Sequence, residues 1–430
     1  MRKISKISLV AAVAVAGFST ANAQPLEEAI KNVDVSGSVV YRYDNFHNAE
    51  KKSNGLVTSQ RENTDANRYK IGLNLSSKVN EYVKFNSRFI VGSDKNAGFA
   101  SLNAGKENNS SNTQGFDGQA DVSLSNAYFG FTAIPNTVVN IGKQGLTTPY
   151  TVAVDINGNE QTGTGILALS NVGPVTFGAG YFNNTNLNES SEINATQDLG
   201  LKAFPLGANG VINGGDDLYV ATVQGDLDFV KLEAWYAGLQ ETFNTYTLAA
   251  TSNLDLAENA KLGLEARYVN LKLDNDAVAV GDERKNSMFR LAVDGKFSIV
   301  NARLAYTQTG KDGGLTALDQ DAKNTSLGWA ITSNGVADAK YWQAALGADI
   351  LDNLNFTLNY GNLKSKDTTR SIFTNLSDIK AQEVYGQLTY KMSKNLSTYL
   401  RYGTYTEKEY KSGDKVEDQT RGRIQVAYTF

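Results

Sequence analysis

The chain has no cysteine in its 430 residues, so a disulfide framework, a thiolate metal site and a thiol nucleophile are all excluded. Histidine is nearly as scarce. His47 stands alone beside Asn45 and Phe46, where a solvated loop is expected. No G-x-S-x-G or H-E-x-x-H pattern supplies a nucleophile with its base, so an enzyme is not expected. Only five prolines and three methionines occur, and no proline-rich linker divides the chain. The formal net charge of −4 leaves no basic surplus for nucleic acid. Beyond residue 24 no run approaches the roughly 18 uninterrupted apolar residues of a spanning helix.

What is present begins at the two ends. Arg2, Lys3 and Lys6 precede an apolar stretch from Ile7 to Phe18, and Ala21-Asn22-Ala23 completes an A-x-A cleavage site. Residues 1–23 therefore read as a signal peptide, too short in its apolar part to span a bilayer, and 24–430 as a single exported domain. At the other end Gly422, Ile424, Val426, Tyr428 and Phe430 share one parity, while Arg421, Arg423, Gln425, Ala427 and Thr429 share the other. Side chains alternate along a strand, so one face is apolar, the other bears arginine, and the last residue is aromatic. That pattern suits a barrel with lipid outside and water inside.

The same alternation recurs throughout. Val33, Val35, Gly37, Val39, Tyr41 and Tyr43 oppose Asp34, Ser36, Ser38 and Arg42; Leu354, Phe356, Leu358 and Tyr360 oppose Asn355, Thr357 and Asn359. About eighteen such segments fall between 33–44 and 419–430, most near the 9–11 residues that cross a membrane at a tilt. The segments 121–134 and 164–171 alternate poorly, so sixteen strands are also compatible. Connections alternate in length: Asp44 to Ala66 and Ser93 to Ala120 are long, whereas Pro135-Asn136 and Gly225-Asp226-Leu227 are tight. Short periplasmic turns and long extracellular loops are the rule for outer-membrane barrels. The expected fold is all-β: a transmembrane, antiparallel, up-and-down barrel embedded in outer-membrane lipid. Its 39 glycines, 21 tyrosines and negative mean hydropathy agree with this, since only alternate residues face lipid.

Closing such a barrel sets the last strand against the first. Arg421 and Arg423 then neighbour Arg42, with Arg401 on one flank and Arg68, Lys70, Lys84 and Arg88 on the other, forming a basic stripe on the inner wall. A channel of this size needs narrowing. The connection Gly145 to Gly163 carries Asp155 and Glu160, and folded inwards it would set these carboxylates against the stripe and create a transverse field. Asp155-Ile156-Asn157-Gly158-Asn159-Glu160 offers hard oxygen ligands but only loosely resembles a calcium loop, lacking the acidic third and fifth positions.

The residues Pro25-Leu26-Glu27-Glu28-Ala29-Ile30-Lys31-Asn32-Val33-Asp34-Val35-Ser36-Gly37, then Tyr41-Arg42-Tyr43, closely match the start of the mature chain in the major outer membrane porins of the campylobacters. Gly142-Lys143-Gln144, Gly163-Thr164-Gly165 and the terminal strand extend the resemblance. It implies an eighteen-stranded, trimeric, cation-preferring porin for ions and small hydrophilic solutes. It also implies a third loop folded into the pore, Ca²⁺ bound near the constriction through Asp155, and Phe430 as a signal to the barrel-assembly machinery. Members of that family have been linked to host adhesion through surface loops. A substrate-selective channel and an adhesin anchored by its barrel are the alternative expectations.

Overall fold

Eighteen antiparallel strands close into one barrel in the computed structural model, which describes residues 33–430 apart from 54–55, 60, 94–96, 103–119, 188–213, 276, 278–283, 366–378 and 410–411. The segment expected to be a leader, 1–23, lies outside the described residues, as does the block from Pro25 to Asn32. In chain order the strands are β1 Val33–Asn48, β2 Glu62–Lys78, β3 Val83–Gly92, β4 Asp121–Phe131, β5 Thr137–Gly145 and β6 Thr162–Val172. There follow β7 Val175–Thr185, β8 Leu218–Leu227, β9 Val230–Leu239, β10 Phe243–Ala257, β11 Ala260–Leu273 and β12 Lys285–Phe297. The circle ends with β13 Val300–Thr309, β14 Lys340–Leu351, β15 Leu354–Lys364, β16 Ile379–Lys391, β17 Leu396–Glu409 and β18 Lys415–Thr429.

Each strand pairs with its sequence neighbours, and β18 closes on β1 with Tyr41 opposite Val426 and Asp44 opposite Arg423. Closure leaves no sheet edge, the one way a sheet can satisfy its backbone polar groups in lipid. Phe430 extends the seam by one residue, exchanging backbone hydrogen bonds with Gly37 at 2.9 and 3.1 Å. Two short pieces lie beside the barrel: a hairpin of Lys51–Ser53 with Leu56–Ser59, and Ala100–Ser101 paired to Arg68 and Tyr69.

The outer face carries large exposed apolar side chains on nearly every strand, among them Val223, Leu248, Leu304, Leu346 and Leu358. A continuous belt of this kind would aggregate in water but is what bilayer hydrocarbon requires. Tyr181, Tyr219, Tyr236, Tyr246, Tyr268, Tyr306, Trp342 and Tyr360 ring the end nearer the long connections, with Tyr306 and Trp342 packed at 4.7 Å between centroids. Phe129, Phe229, Phe297, Phe356 and Phe430 lie towards the tight-turn end. These are the two interfacial girdles of a barrel that crosses a membrane.

The count is eighteen, not sixteen, and the weak alternation of β4 has a physical cause. Arg88 pairs with Asn126 and Phe89 with Leu124, so Ser125 is an extra residue in a bulge. Val122 and Leu124 are exposed before it and Phe129 after it, a change of parity that hides the period from simple reading. His47 belongs to β1 rather than to a loop, because that strand runs on to Asn48; its Nδ1 sits 2.7 Å from Oδ1 of Asn63.

Among the described residues, apolar packing inside the barrel gathers mainly in two clusters. Leu218, Val220, Leu239, Val269, Leu271 and Met288 point inwards near the long-connection rim. They are covered by Leu146 and Tyr150 from the β5–β6 connection and by Leu315 and Leu318 from the β13–β14 connection. A second cluster joins Ile331, Val336 and Ala339 to Tyr341, Leu363, Ile379 and Ala381. Burial of these side chains, at about 1.5–3 kcal/mol for each large one, holds both connections inside the lumen.

Candidate functional site

Five adjacent strands, β17, β18, β1, β2 and β3, form the wall on which the expected basic residues stand. Arg42 is buried; its Nε donates to Gln425 at 2.8 Å and its Nη2 to the carbonyl of Ile156 at 3.1 Å. Arg68 and Arg423 both donate to Asp44, to Oδ2 at 2.7 Å and Oδ1 at 2.5 Å. Asp44 stands two residues beyond Arg42 on the same face of β1, and it is an acidic partner that the sequence reading missed. Lys70 and Arg88 lie on β2 and β3, where they meet the β5–β6 connection. Lys84 does not join them: it is exposed, four residues from Arg88, roughly 13 Å along the strand towards the tight turn.

The β5–β6 connection, residues 146–161, lies against the inner faces of β1, β2 and β3. Glu160 is buried and accepts from Lys70 at 2.5 Å, from Arg88 at 3.0 Å through both Nε and Nη2, and from Ser125 at 2.8 Å. The β4 bulge is what turns Ser125 towards it. Burial alone would raise the Glu160 pKa, but the Arg88 hydrogen bond and the Lys70 charge outweigh it and hold the carboxyl below its ordinary value. Gly158, at φ +83°, makes the turn that offers its carbonyl to Lys70; any Cβ there would strike the ring of Phe99.

Asp155 departs from expectation. It was to face the basic wall beside Glu160, yet its carboxylate turns back into its own loop. Oδ1 accepts from the backbone of Asn157 and Asn159 at 2.9 and 2.8 Å, and Oδ2 from the Asn159 amide at 2.6 Å. An Asx turn needs that orientation, so local geometry outweighs attraction to the wall. Burial and the nearby charge of Asp319 raise its pKa to about 6. Asp319 itself, buried and beside Asp321, is pushed to about 8.

Asp319 comes from a second inward segment, the β13–β14 connection 310–339, which the sequence reading did not single out. Its backbone bonds to the first: Leu318 donates to the carbonyl of Tyr150 and Asn324 to that of Pro149, both at 2.9 Å. Arg290 clamps it from the wall through the carbonyls of Lys323 and Thr325, and Glu383 accepts from the backbone of Trp329 and Ala330 at 3.1 and 2.7 Å. Trp329 then stands among the arginines. Arg401 lies 5.2 Å from its ring and also faces Tyr385 and Tyr399, while Arg421 lies 5.4 Å from it and 4.6 Å from Phe46. A cavity of about 520 Å³ remains between this segment, Phe99 and the arginines of β1, β2 and β18.

A hard cation was expected at Asp155, and the surroundings can be tested for it. Two buried carboxylates, Asp155 and Asp319, raise each other's proton affinity or have it raised by acidic neighbours. Gln161 is fully buried, its amide nitrogen is on Asp319, and its Oε1 has no hydrogen-bond partner among the described residues. Among those residues no three His, Cys, Asp or Glu side chains gather as a metal site, so amide and carbonyl oxygens would have to complete the shell. Such mixed oxygen sets suit calcium. The residues fit.

A closed barrel with an apolar, aromatic-girdled outside and a polar lumen narrowed by inward loops is a transmembrane pore of the outer-membrane kind. The chain belongs to the Campylobacter major outer membrane protein family, whose model matches residues 1–430. It is an outer-membrane porin for small solutes. Among curated proteins no sequence match is found. Solved structures share its architecture. OpdL of Pseudomonas aeruginosa aligns with a TM-score of 0.68 at 15% identity, covering 92% of this chain and 99% of that one. OpdK of the same organism, solved with vanillate, gives 0.68 at 16%, covering 92% and 98%. OprD of Pseudomonas aeruginosa gives 0.65 at 17%, covering 95% of each. At these identities the likeness defines the fold.

Proposed function

We propose that ions and small hydrophilic solutes cross this barrel passively, past a constriction formed by the two inward connections on one side and the arginine wall on the other. The observation that carries this reading is the direct seating of Glu160 on Lys70 and Arg88, which pins a loop across the lumen. Positive charge on the wall and carboxylates on the loops set up a transverse field that orients polar solutes in transit. No chemistry and no energy source are required.

The preference for cations implied by the resemblance is assigned to loop carboxylates that are ionised at neutral pH, Asp155 among them. Four wall cations meet carboxylates, Arg68 and Arg423 at Asp44 and Lys70 and Arg88 at Glu160, whereas Asp155 is held by amides of its own loop and Asp319 lies beside Asp321. A calcium ion held by Asp155, Asp319 and Gln161 would supply charge that keeps both carboxylates ionised and ties the two loops together. Trimer formation and engagement of the assembly machinery through Phe430 are part of the proposal; the exposed terminal ring, stacked on Tyr428 at 5.9 Å, is accessible for the latter.

Purified protein in a planar bilayer tests the reading. Stepwise ohmic openings are expected. Complete absence of conductance would overturn it in favour of an adhesin anchored by its barrel, and saturation of current by a single solute would favour a substrate-selective channel.

A further inference from the structure

The cavity beside Trp329 is lined by four arginines, Arg42, Arg68, Arg421 and Arg423, and by a single carboxylate, Asp44. That carboxylate is already shared between Arg68 and Arg423. The other two guanidinium groups donate to neutral partners, with the buried carboxylate of Glu383 near Arg421 but outside the lining. Arg42 donates to Gln425 and to a backbone carbonyl and lies 4.3 Å above the ring of Phe99. Arg421 donates to the carbonyl of Trp329 at 3.3 Å and faces Phe46 and Trp329. Its Nε is buried with no hydrogen-bond partner among the described residues. Carbonyls and π faces position a guanidinium without neutralising it.

Four guanidinium groups against Asp44 and the nearby Glu383 leave a surplus of positive charge, together with planar donor forks and flat apolar surfaces. Its volume, about 520 Å³, falls within the roughly 300–1,000 Å³ of small-molecule sites. A water-filled passage needs no such construction. A buried donor left unpaired is costly unless something accepts from it in use, at about 1–3 kcal/mol. Guanidinium forks match a carboxylate in two parallel hydrogen bonds, and the aromatic walls accept a planar body between them.

We propose that this cavity is a binding subsite for small organic carboxylates with a flat apolar body, where the solute pauses during passage. The inference rests on the porin reading and deepens it. The carboxylate sits against Arg42 and Arg421, and the body packs along Trp329 and Phe99.

Sodium benzoate is the probe, with benzamide, acetate and inorganic phosphate as comparisons, each added to a single open channel in a planar bilayer. Benzoate should interrupt the current in a saturable way, benzamide should not, and acetate and phosphate should do so at concentrations at least tenfold higher. Arg42→Gln with Arg421→Gln should weaken the benzoate block tenfold or more. Quenching of tryptophan fluorescence by benzoate in detergent-solubilised protein gives a second readout, independent of conduction, and should be lost in the same variant. Open channels without benzoate block or quenching would overturn this inference alone, as would block unchanged in the double variant. Equal block by phosphate would overturn the requirement for a flat body. Channels that never open would instead defeat the porin reading.

Discussion

Lys70 on β2 and Glu160 on the inward β5–β6 connection meet at 2.5 Å, both side chains buried, 90 residues apart in sequence. Arg88 completes the contact from β3. This three-way charge contact is where the loop is tied to the wall, and its removal has a defined consequence.

Glu160→Gln leaves Lys70 and Arg88 without their carboxylate. Breaking a buried pair by deleting one partner costs on the order of 3–5 kcal/mol. The loop should loosen and the wall should gain net positive charge. Reversal potential in a KCl gradient should shift towards chloride, and single-channel current should become noisier. A reversal potential unchanged from the parent would count against the contact as a determinant of selectivity.

Charge reversal on the wall should act in the opposite direction. Arg42→Glu with Arg423→Glu removes two inward cations and sets new carboxylates beside Asp44. Permeability of K⁺ relative to Cl⁻ should rise several-fold at low salt, and less at 1 M salt, where the Debye length falls to about 3 Å. Equal selectivity in parent and variant would show that these arginines lie off the ion path.

The loop carboxylates give a pH dependence whose sign follows from their raised pKa values. Asp155 at about 6 and Asp319 at about 8 both lie above the ordinary aspartate value of 3.8, so the folded state holds protons that the unfolded state has lost. Their stabilising contribution is complete below about pH 4 and is lost as pH rises through 6 and then 8. In EDTA the melting temperature of the detergent-solubilised barrel should fall over that window. Millimolar calcium should flatten the fall by holding both groups ionised, and Asp319→Asn should reduce it. A calcium-insensitive profile would remove the ion from the account.

The lipid-facing half of this design was legible in the sequence because it repeats. Alternation such as Leu354, Phe356, Leu358 and Tyr360 marks a strand wherever it occurs, and loop lengths sort by side without reference to any one residue. The lumen was only half legible. Arg42, Arg421 and Arg423 could be placed together because barrel closure fixes their neighbours, but Asp44, where the first segment meets a long connection, reads equally well as a loop residue. The inward turn of Ser125 was concealed by a bulge, which shifts parity without leaving a compositional mark. The segment 310–339 carries no motif. Its signal lay elsewhere, in strands such as β8 and β11, where Leu218, Val220, Val269 and Leu271 make the inward face apolar as well. A face that turned to water throughout would be polar, so apolar residues on both parities announce a covering loop. Asp155 shows the remaining limit, because an Asx turn within four residues decided its direction and the distant wall did not.

If the two inward connections, with Trp329 at the tip of one, border the conducting path, a thiol placed at that tip stands in the permeating stream. A chain without cysteine makes this directly measurable. In Trp329→Cys, a single thiol stands opposite Arg401 and Arg421, open to a positively charged methanethiosulfonate added during single-channel recording. A stepwise, irreversible fall in conductance is expected as each channel reacts, with no response in the cysteine-free parent. Full labelling, verified by mass, with the current unchanged would contradict it.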